Sequence, residues 1–260
     1  MSIIGTCISS TTDEHGPIYV YQTDTSRILS FDGKIQQSSM RLNDINGLSH
    51  NYTQAMMTGL FFIPTIKTAT IMGLGAGSMA KNLLNSFDDL NVHAIEYREA
   101  VAEIAKEYFY LPESERLNIH IDDAVSYMQK KTMKSDIIFS DLYNTQGMEP
   151  RQIQLSYLHD CKESLNENGV LVLNIWRKEL RSREELDVLL SHEFENRLLS
   201  FEVEDGNNIV LAFKNDIPFI SRKELLAKGK LFQEKMNIHL ERYSKLLWST
   251  QQYKLRIKSF

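Results

Sequence analysis

The run Thr70–Ser78, TIMGLGAGS, sets glycines at 73, 75 and 77 between a β-rich stretch and a helical one. Glycine permits a tight turn and brings backbone close to a ligand at the positive N-terminal end of the helix that follows. Gly73, Gly75 and Gly77 are therefore candidate nucleoside-binding residues. Glu96 follows nineteen residues after Gly77, at the end of the next predicted strand, where a carboxylate can accept ribose hydroxyl protons. A dinucleotide fingerprint wants GxGxxG, and Ser78 stands at its last glycine, so GxGxG suits an adenosyl-sulfonium nucleoside better than a nicotinamide dinucleotide.

Two further carboxylates close predicted strands. Asp123, in IDDAVSYM, is placed to accept a hydrogen bond from an adenine amino group, and the same residue can cap the helix starting near Ala124. Asp141, in SDLYN, stands where open α/β sheets put reactive side chains. It is the catalytic candidate: a carboxylate there can orient an amine nucleophile or take its proton. Tyr143 and Trp176 are candidates for the wall of an acceptor pocket. The seven histidines show no HExxH or paired spacing, so no metal is expected. Ser9–Thr12 and Ser38–Ser39 read as solvated turn residues.

These positions require a particular scaffold. Between about residues 67 and 214, short apolar runs alternate with helical stretches, the pattern of a parallel sheet covered on both faces. Strands are expected at 69–72, 91–95, 117–121, 136–140 and 170–175, with helices at 78–87, 99–108, 124–131, 152–165 and 182–192. Residues 196–203 and 208–213 flank Glu204-Asp205-Gly206-Asn207 and read as a hairpin. The predicted fold is α/β: a doubly wound, mostly parallel, methyltransferase-like Rossmann sheet ending in an antiparallel hairpin. Residues 1–66 would form a small antiparallel β-unit, with Asp32-Gly33 at a turn and a linking helix at 44–58. Residues 67–215 would be the nucleoside-binding domain. Residues 216–260, with ten Lys or Arg against four Asp or Glu, would be one long basic amphipathic helix packed on its own domain or on a second subunit.

At 260 residues the chain is long enough for a sizeable core. Its formal charge of −5 gives no global attraction to nucleic acid or an anionic membrane. No apolar run reaches the ~18 residues of a membrane span. With only Cys7 and Cys161 and no CxxC pair, neither a disulfide framework nor a thiolate metal site is indicated, and a cytoplasmic setting is expected.

Taken in order, these segments resemble the spermidine synthase family of polyamine aminopropyltransferases over roughly residues 16–213. SFDGKIQQS is similar to the family's LDGxxQ hairpin, which implies a nucleoside contact for Gln36. LSHNYTQAMMTGLFFIP resembles the YHEMLxHxPL helix and sets Tyr52 on the family's tyrosine, implying a place beside Asp141 in catalysis. HAIEYREAVAEIAKEYF and IDDAVSYM resemble its VEID-type and GDA-type segments. The departures fall at the chemistry. Ala76 stands at the loop aspartate that in the family holds the ammonium of decarboxylated S-adenosylmethionine, Asn144 at the second carboxylate of the DSSD-type motif, and Gln54 at the YHE-type glutamate. The resemblance implies S-adenosylmethionine or its decarboxylated form as cofactor, without a metal. It also implies a small-molecule amine acceptor, transfer of an aminopropyl or methyl group, and a homodimer. The three neutral residues make ordinary spermidine synthesis doubtful, and the alternative is a non-catalytic nucleoside-binding interaction protein of the same fold.

Overall fold

The computed structural model describes residues 5–130, 133–144, 147–176 and 183–256. Strands β1 (Thr6–Asp13), β2 (Gly16–Gln22), β3 (Ser26–Ser30) and β4 (Ser38–Arg41) form an antiparallel sheet in chain order. Ser9–Thr12 therefore lie in a strand, not a turn, and Ser39 is buried in β4. Their hydroxyls disguised the strand: β1 is an edge whose side chains are almost all exposed, so it carries no apolar alternation. At the tip between β1 and β2, Asp13 accepts the amide of His15 at 2.8 Å. Asp32-Gly33 does turn the chain towards β4: the Asp32 carboxylate accepts the amides of Lys34 and Ile35, and Gly33 has φ +72°.

The linking segment is shorter in helix than expected. Only α1 (Asn51–Met56) is α-helical, followed by a 3-10 stretch over Met57–Phe62. Before it, the chain wraps around an Arg41–Asp44 ion pair of 2.7 Å, with Gly47 folded so tightly on Asp44 that a Cβ would lie 2.1 Å from its carboxylate. Gly59 in the 3-10 stretch is closely covered: a Cβ there would lie 2.6 Å from the Val172 side chain.

The larger unit alternates β5 (Thr68–Met72), α2 (Ser78–Ser86), β6 (Asn91–Glu96), α3 (Glu99–Phe109), β7 (Leu117–Ile121), α4 (Ala124–Gln129) and β8 (Ser135–Ser140). A two-residue ladder, β9 (Tyr143–Asn144) with β10 (Gly147–Met148), precedes α5 (Leu155–Glu163), β11 (Leu165–Trp176) and α6 (Arg183–Glu193). Strands β12 (Leu198–Glu202) and β13 (Asn207–Phe213) complete a seven-stranded sheet ordered β12-β13-β11-β8-β5-β6-β7. The pairs from β11 to β7 are parallel, whereas β13 is antiparallel to both β11 and β12. This is the doubly wound α/β sheet with a terminal antiparallel hairpin. Of the predicted helix ends, Lys131 and Ser182 lie outside the described residues.

Strand alternation divides the core. Ile71, Ile137, Phe139 and Val172 point to one side, and Met72, Ile138, Leu171 and Leu173 to the other. The first side is covered by α1, the 3-10 stretch, α2 and the C-terminal helices; the second by α4, α5 and α6. A third cluster joins Ile18, Val20, Leu29 and Met40 of the N-terminal sheet to Val101, Ile104 and Phe109 of α3.

The predicted single C-terminal helix is two, α7 (Arg222–Met236) and α8 (Leu240–Leu255). Asn237 breaks it in the left-handed conformation (φ 52°), which Asn tolerates better than most residues. Ser221 and Glu224 form a capping box on α7. Leu225, Met236, Leu240, Tyr243, Leu247 and Leu255 all enter the first core cluster, so these helices pack on their own domain.

Candidate active site

The C-terminal ends of β5, β6, β7, β8 and β11, the start of β13, α1 and the β3–β4 turn enclose one cavity of about 740 Å³. Chain reversal at a switch point explains its place: β5 is followed by β6 on one side, whereas β8 is laid down on the other.

Gly73, Gly75 and Gly77 have φ of 91°, 53° and 72°. Gly73 has no room for a side chain, since a Cβ would lie 2.6 Å from the Asp141 carbonyl. Gly77 begins α2 and would meet Leu111 at 2.6 Å. Gly73 and Gly75 line the cavity; Gly77 does not, and its role is to seat the helix on Leu111. The loop amides are also largely spent within the protein. Leu74 and Gly75 donate to Glu96 Oε2 at 3.1 and 3.3 Å, Gly73 to the Ile95 carbonyl and Gly77 to that of Leu74. Arg98 donates its amide to Glu96 Oε1 at 3.0 Å. Glu96 is thus a buried tie between the glycine loop and the β6–α3 turn, and it also lines the cavity. Burial pushes its carboxyl up from the ordinary value, against the pull of these amides.

Arg98 extends the tie outward. Its guanidinium makes two bonds to Asp13, at 2.9 and 2.7 Å, donates to the Gly16 carbonyl, and lies over the Phe31 ring. The N-terminal sheet is thereby held so that His15, Phe31 and Gln36 reach the cavity, with His15 packed on Tyr97.

At the end of β7, Asp123 caps α4, accepting from the Ser126 amide and hydroxyl at 3.0 Å. Arg151 grips the same carboxylate at 3.2 and 2.8 Å while its Nε reaches Glu149 at 2.9 Å. Burial raises the Asp123 carboxyl, but the Ser126 and Arg151 bonds prevail and hold it below its ordinary value. Asp122, paired with Lys130, lines the cavity beside it. Sequence reasoning did not single out Arg151; an isolated surface arginine 28 positions away carries no local pattern.

Asp141 sits at the end of β8. Asn174 donates to its Oδ1 at 2.9 Å, and the Tyr52 hydroxyl bonds to the same carboxyl. Burial drives the Asp141 carboxyl up to about 6, and the Tyr52 phenol is likewise raised, chiefly by burial. Asn174 was also missed; it is buried in strand β11, and its Oδ1 has no hydrogen-bond partner. Gln152 fixes the following loop: it accepts from Ser140 Oγ and bonds both the Leu142 amide and carbonyl.

Gln36, Tyr52, Gly73, Gly75, Glu96, Asp123, Asp141, Tyr143 and Trp176 therefore share one cavity. Two of the aligned departures lie elsewhere. Ala76 is fully buried in the cluster under the N-terminal sheet. Gln54 is buried, donating to the Leu48 carbonyl and accepting the His239 amide, which ties α1 to the α7–α8 turn. Asn144 lies in β9, with its side chain outside the described residues.

A methyltransferase-like doubly wound sheet with an N-terminal β-sheet over its switch point defines the class. Within it, this chain belongs to the spermine/spermidine synthase family, whose spermine/spermidine synthase domain profile matches residues 49–196. A polyamine aminopropyltransferase of Neisseria meningitidis is 30% identical over 192 residues, 73% of each chain. A probable spermidine synthase from Corynebacterium glutamicum superposes with a TM-score of 0.71 at 19% identity, covering 89% of this chain and 88% of that one. Human methyltransferase-like protein 13, solved with SAH, gives a TM-score of 0.63 at 22% identity, covering 75% and 93%. Among the described residues no helix is long and apolar enough to cross a membrane, and no group of three or more His, Cys, Asp or Glu is arranged for a metal ion.

Proposed function

We propose that this protein is a transferase that binds an adenosyl-sulfonium nucleoside and passes an alkyl group from it to an amine. The observation that carries the reading is the pairing, within one cavity, of a Glu96-anchored glycine loop with a partly buried Asp141–Tyr52–Asn174 cluster. The fit to a nucleoside rests on Glu96 and Asp123, two carboxylates at the ends of adjacent strands that line the cavity.

In this reading, Glu96 takes the ribose hydroxyls, Asp123 the adenine amino group, and Gln36 closes over the nucleoside. When bound, the sulfonium supplies an electrophilic carbon: the amine nitrogen bonds to it, the C–S bond breaks, and its electron pair stays on sulfur as a neutral thioether. Asp141 orients the amine and receives the proton that the nitrogen sheds. Tyr52, its hydroxyl on the same carboxylate, holds that oxygen in place. Near neutral pH the carboxylate is ionised and can accept a proton; below about 6 it cannot.

The transferred group is methyl in our reading. Ala76 offers no carboxylate to select a decarboxylated cofactor, and its burial leaves that end of the nucleoside without a counter-charge from the loop. Calorimetric titration of S-adenosylmethionine, its decarboxylated form, methylthioadenosine and NADH decides between the readings. Intact S-adenosylmethionine is expected to bind at least as tightly as the decarboxylated form. A tenfold preference for the latter restores aminopropyl transfer, and binding without turnover of any amine leaves a nucleoside-binding module.

A further inference from the structure

The sheet order divides the cavity into two halves. Glu96, Asp122 and Asp123 line the half over β6 and β7; Asp141, Asn174, Trp176 and Asn207 line the half over β8, β11 and β13. The first half has several carboxylates. In the second, among the described residues, Asp141 is the acidic side chain at the strand ends, beside amide and aromatic groups; Glu149, from the loop after β10, also lines the cavity, but its Oε1 already accepts the amide of Arg151 at 3.2 Å and its Nε at 2.9 Å. Glu204, at the neighbouring hairpin, does not add a second charge: it lies outside the wall, engaged by Asn51 at 2.8 Å and Arg242 at 3.4 Å. Gln54, aligned with an acid in the resemblance described above, faces away and is consumed by backbone partners.

A diamine brings two ammonium groups, and each must exchange water for a counter-ion or a set of acceptors when it is buried. This half of the cavity has one such position. It also has an unused acceptor, the buried Asn174 Oδ1, next to the Nδ2 group that already holds Asp141. One amino group placed between Asp141 and Asn174 would use both, one N–H on each oxygen. The rest of the acceptor would then lie against Tyr143 and Trp176, surfaces suited to an apolar or aromatic body.

Building on the transferase reading, we infer that the acceptor is a monoamine with an apolar or aromatic body, its single amino group held between Asp141 and Asn174, and not a diamine. The test titrates phenethylamine and 1,4-diaminobutane into the full chain at pH 8, with and without saturating methylthioadenosine. Phenethylamine is expected to bind at least tenfold more tightly. Asn174→Asp, which installs a second carboxylate, is expected to narrow or invert that ratio, and Trp176→Ala to weaken phenethylamine while leaving 1,4-diaminobutane unchanged. Equal or tighter binding of 1,4-diaminobutane to the unmodified chain overturns the inference, whatever the variants do. Binding of neither amine also overturns it. Failure of methylthioadenosine to bind is a separate result: it removes the transferase reading, while the amine ratio measured without nucleoside still judges the acceptor site.

Discussion

Asp141 gives the sharpest test, because its burial sets stability against activity. An ordinary aspartate titrates at 3.8, whereas burial moves Asp141 to about 6. The shift is about two units at ~1.4 kcal/mol each, so holding the ionised carboxylate costs the folded state about 3 kcal/mol at pH 8. The sign follows from the direction. A carboxyl raised on folding imposes no penalty well below the unfolded value of 3.8, and the penalty grows until pH passes the folded value near 6. At pH 4 it is only ~0.5 kcal/mol. Asp141→Asn removes the charge but faces an amide N–H₂ towards one of the two donors, Tyr52 or Asn174, a loss of ~1 to 3 kcal/mol that does not depend on pH. The difference between variant and parent should therefore shift in the variant's favour by about 2.5 kcal/mol between pH 4 and pH 8. In melting temperature that is about 5 °C for a chain of this size. Thermal unfolding of both proteins across this range reads it directly. Transfer to an amine should meanwhile fall by ~10² to 10⁴, the usual contribution of a positioned base. A stability difference that is flat with pH would refute the buried-charge argument.

Three other perturbations probe separate parts of the fold. Arg98→Ala strips Asp13 and the Gly16 carbonyl of their partner; a loss of ~2 to 4 kcal/mol is expected, with amide exchange accelerated in β1 and β2 but not in β5 to β7. Gly77→Ala forces a side chain to φ +72° and into Leu111; urea unfolding should show a loss of ~2 to 4 kcal/mol from strain and overpacking together. Lys81 is buried with its ammonium on the Phe109 carbonyl at 2.6 Å and, among the described residues, in no ion pair, and burial lowers it to about 8. A lysine lowered on folding penalises the folded state most below pH 8 and is relieved as pH rises towards 10.5. The stability of Lys81→Met relative to the parent should accordingly decline by ~2 kcal/mol between pH 7 and pH 10, measured by chemical denaturation, and a constant difference would contradict it.

The sheet was legible because its strands are short apolar runs between helical stretches, and β5 to β8 begin and end within a residue or two of their predicted limits. What escaped was structure whose cause lies far away in sequence. Strand β1 is Ser/Thr-rich and exposed, so its strand character comes from pairing with β2 and not from a pattern of its own. The C-terminal helix splits at Asn237 because its apolar residues must turn back over the first core, a demand the helical spacing alone does not express. In the candidate site, Glu96, Asp123 and Asp141, at strand ends following a recognisable motif, could be read from the sequence as residues that would share one cavity. Arg151 and Asn174 could not, since their partners lie 28 and 33 positions away.

The glycine loop also shows why alignment to a motif is weaker than placement. By resemblance Ala76 stands at a loop aspartate of the family, yet here its methyl lies in one cluster with Ile18, Val20 and Met40. An aspartate there would have to leave that cluster or be buried unpaired, at a cost of several kcal/mol. The substitution is thus coupled to packing of the N-terminal sheet and not only to cofactor choice. The same reasoning separates two acids of the cavity, Glu96 and Asp141. Glu96 spends its oxygens on the Leu74, Gly75 and Arg98 amides and acts as a strut that can also meet a ligand. Asp141 has, among the described residues, two side-chain donors and is raised by burial to about 6, so its charge responds to what binds beside it. A cation entering between Asp141 and Asn174 would repay the buried charge. Its carboxyl should therefore titrate lower in the amine complex than in the free protein, a shift that NMR titration of the carboxyl carbon can follow. An unchanged midpoint would place the amine elsewhere.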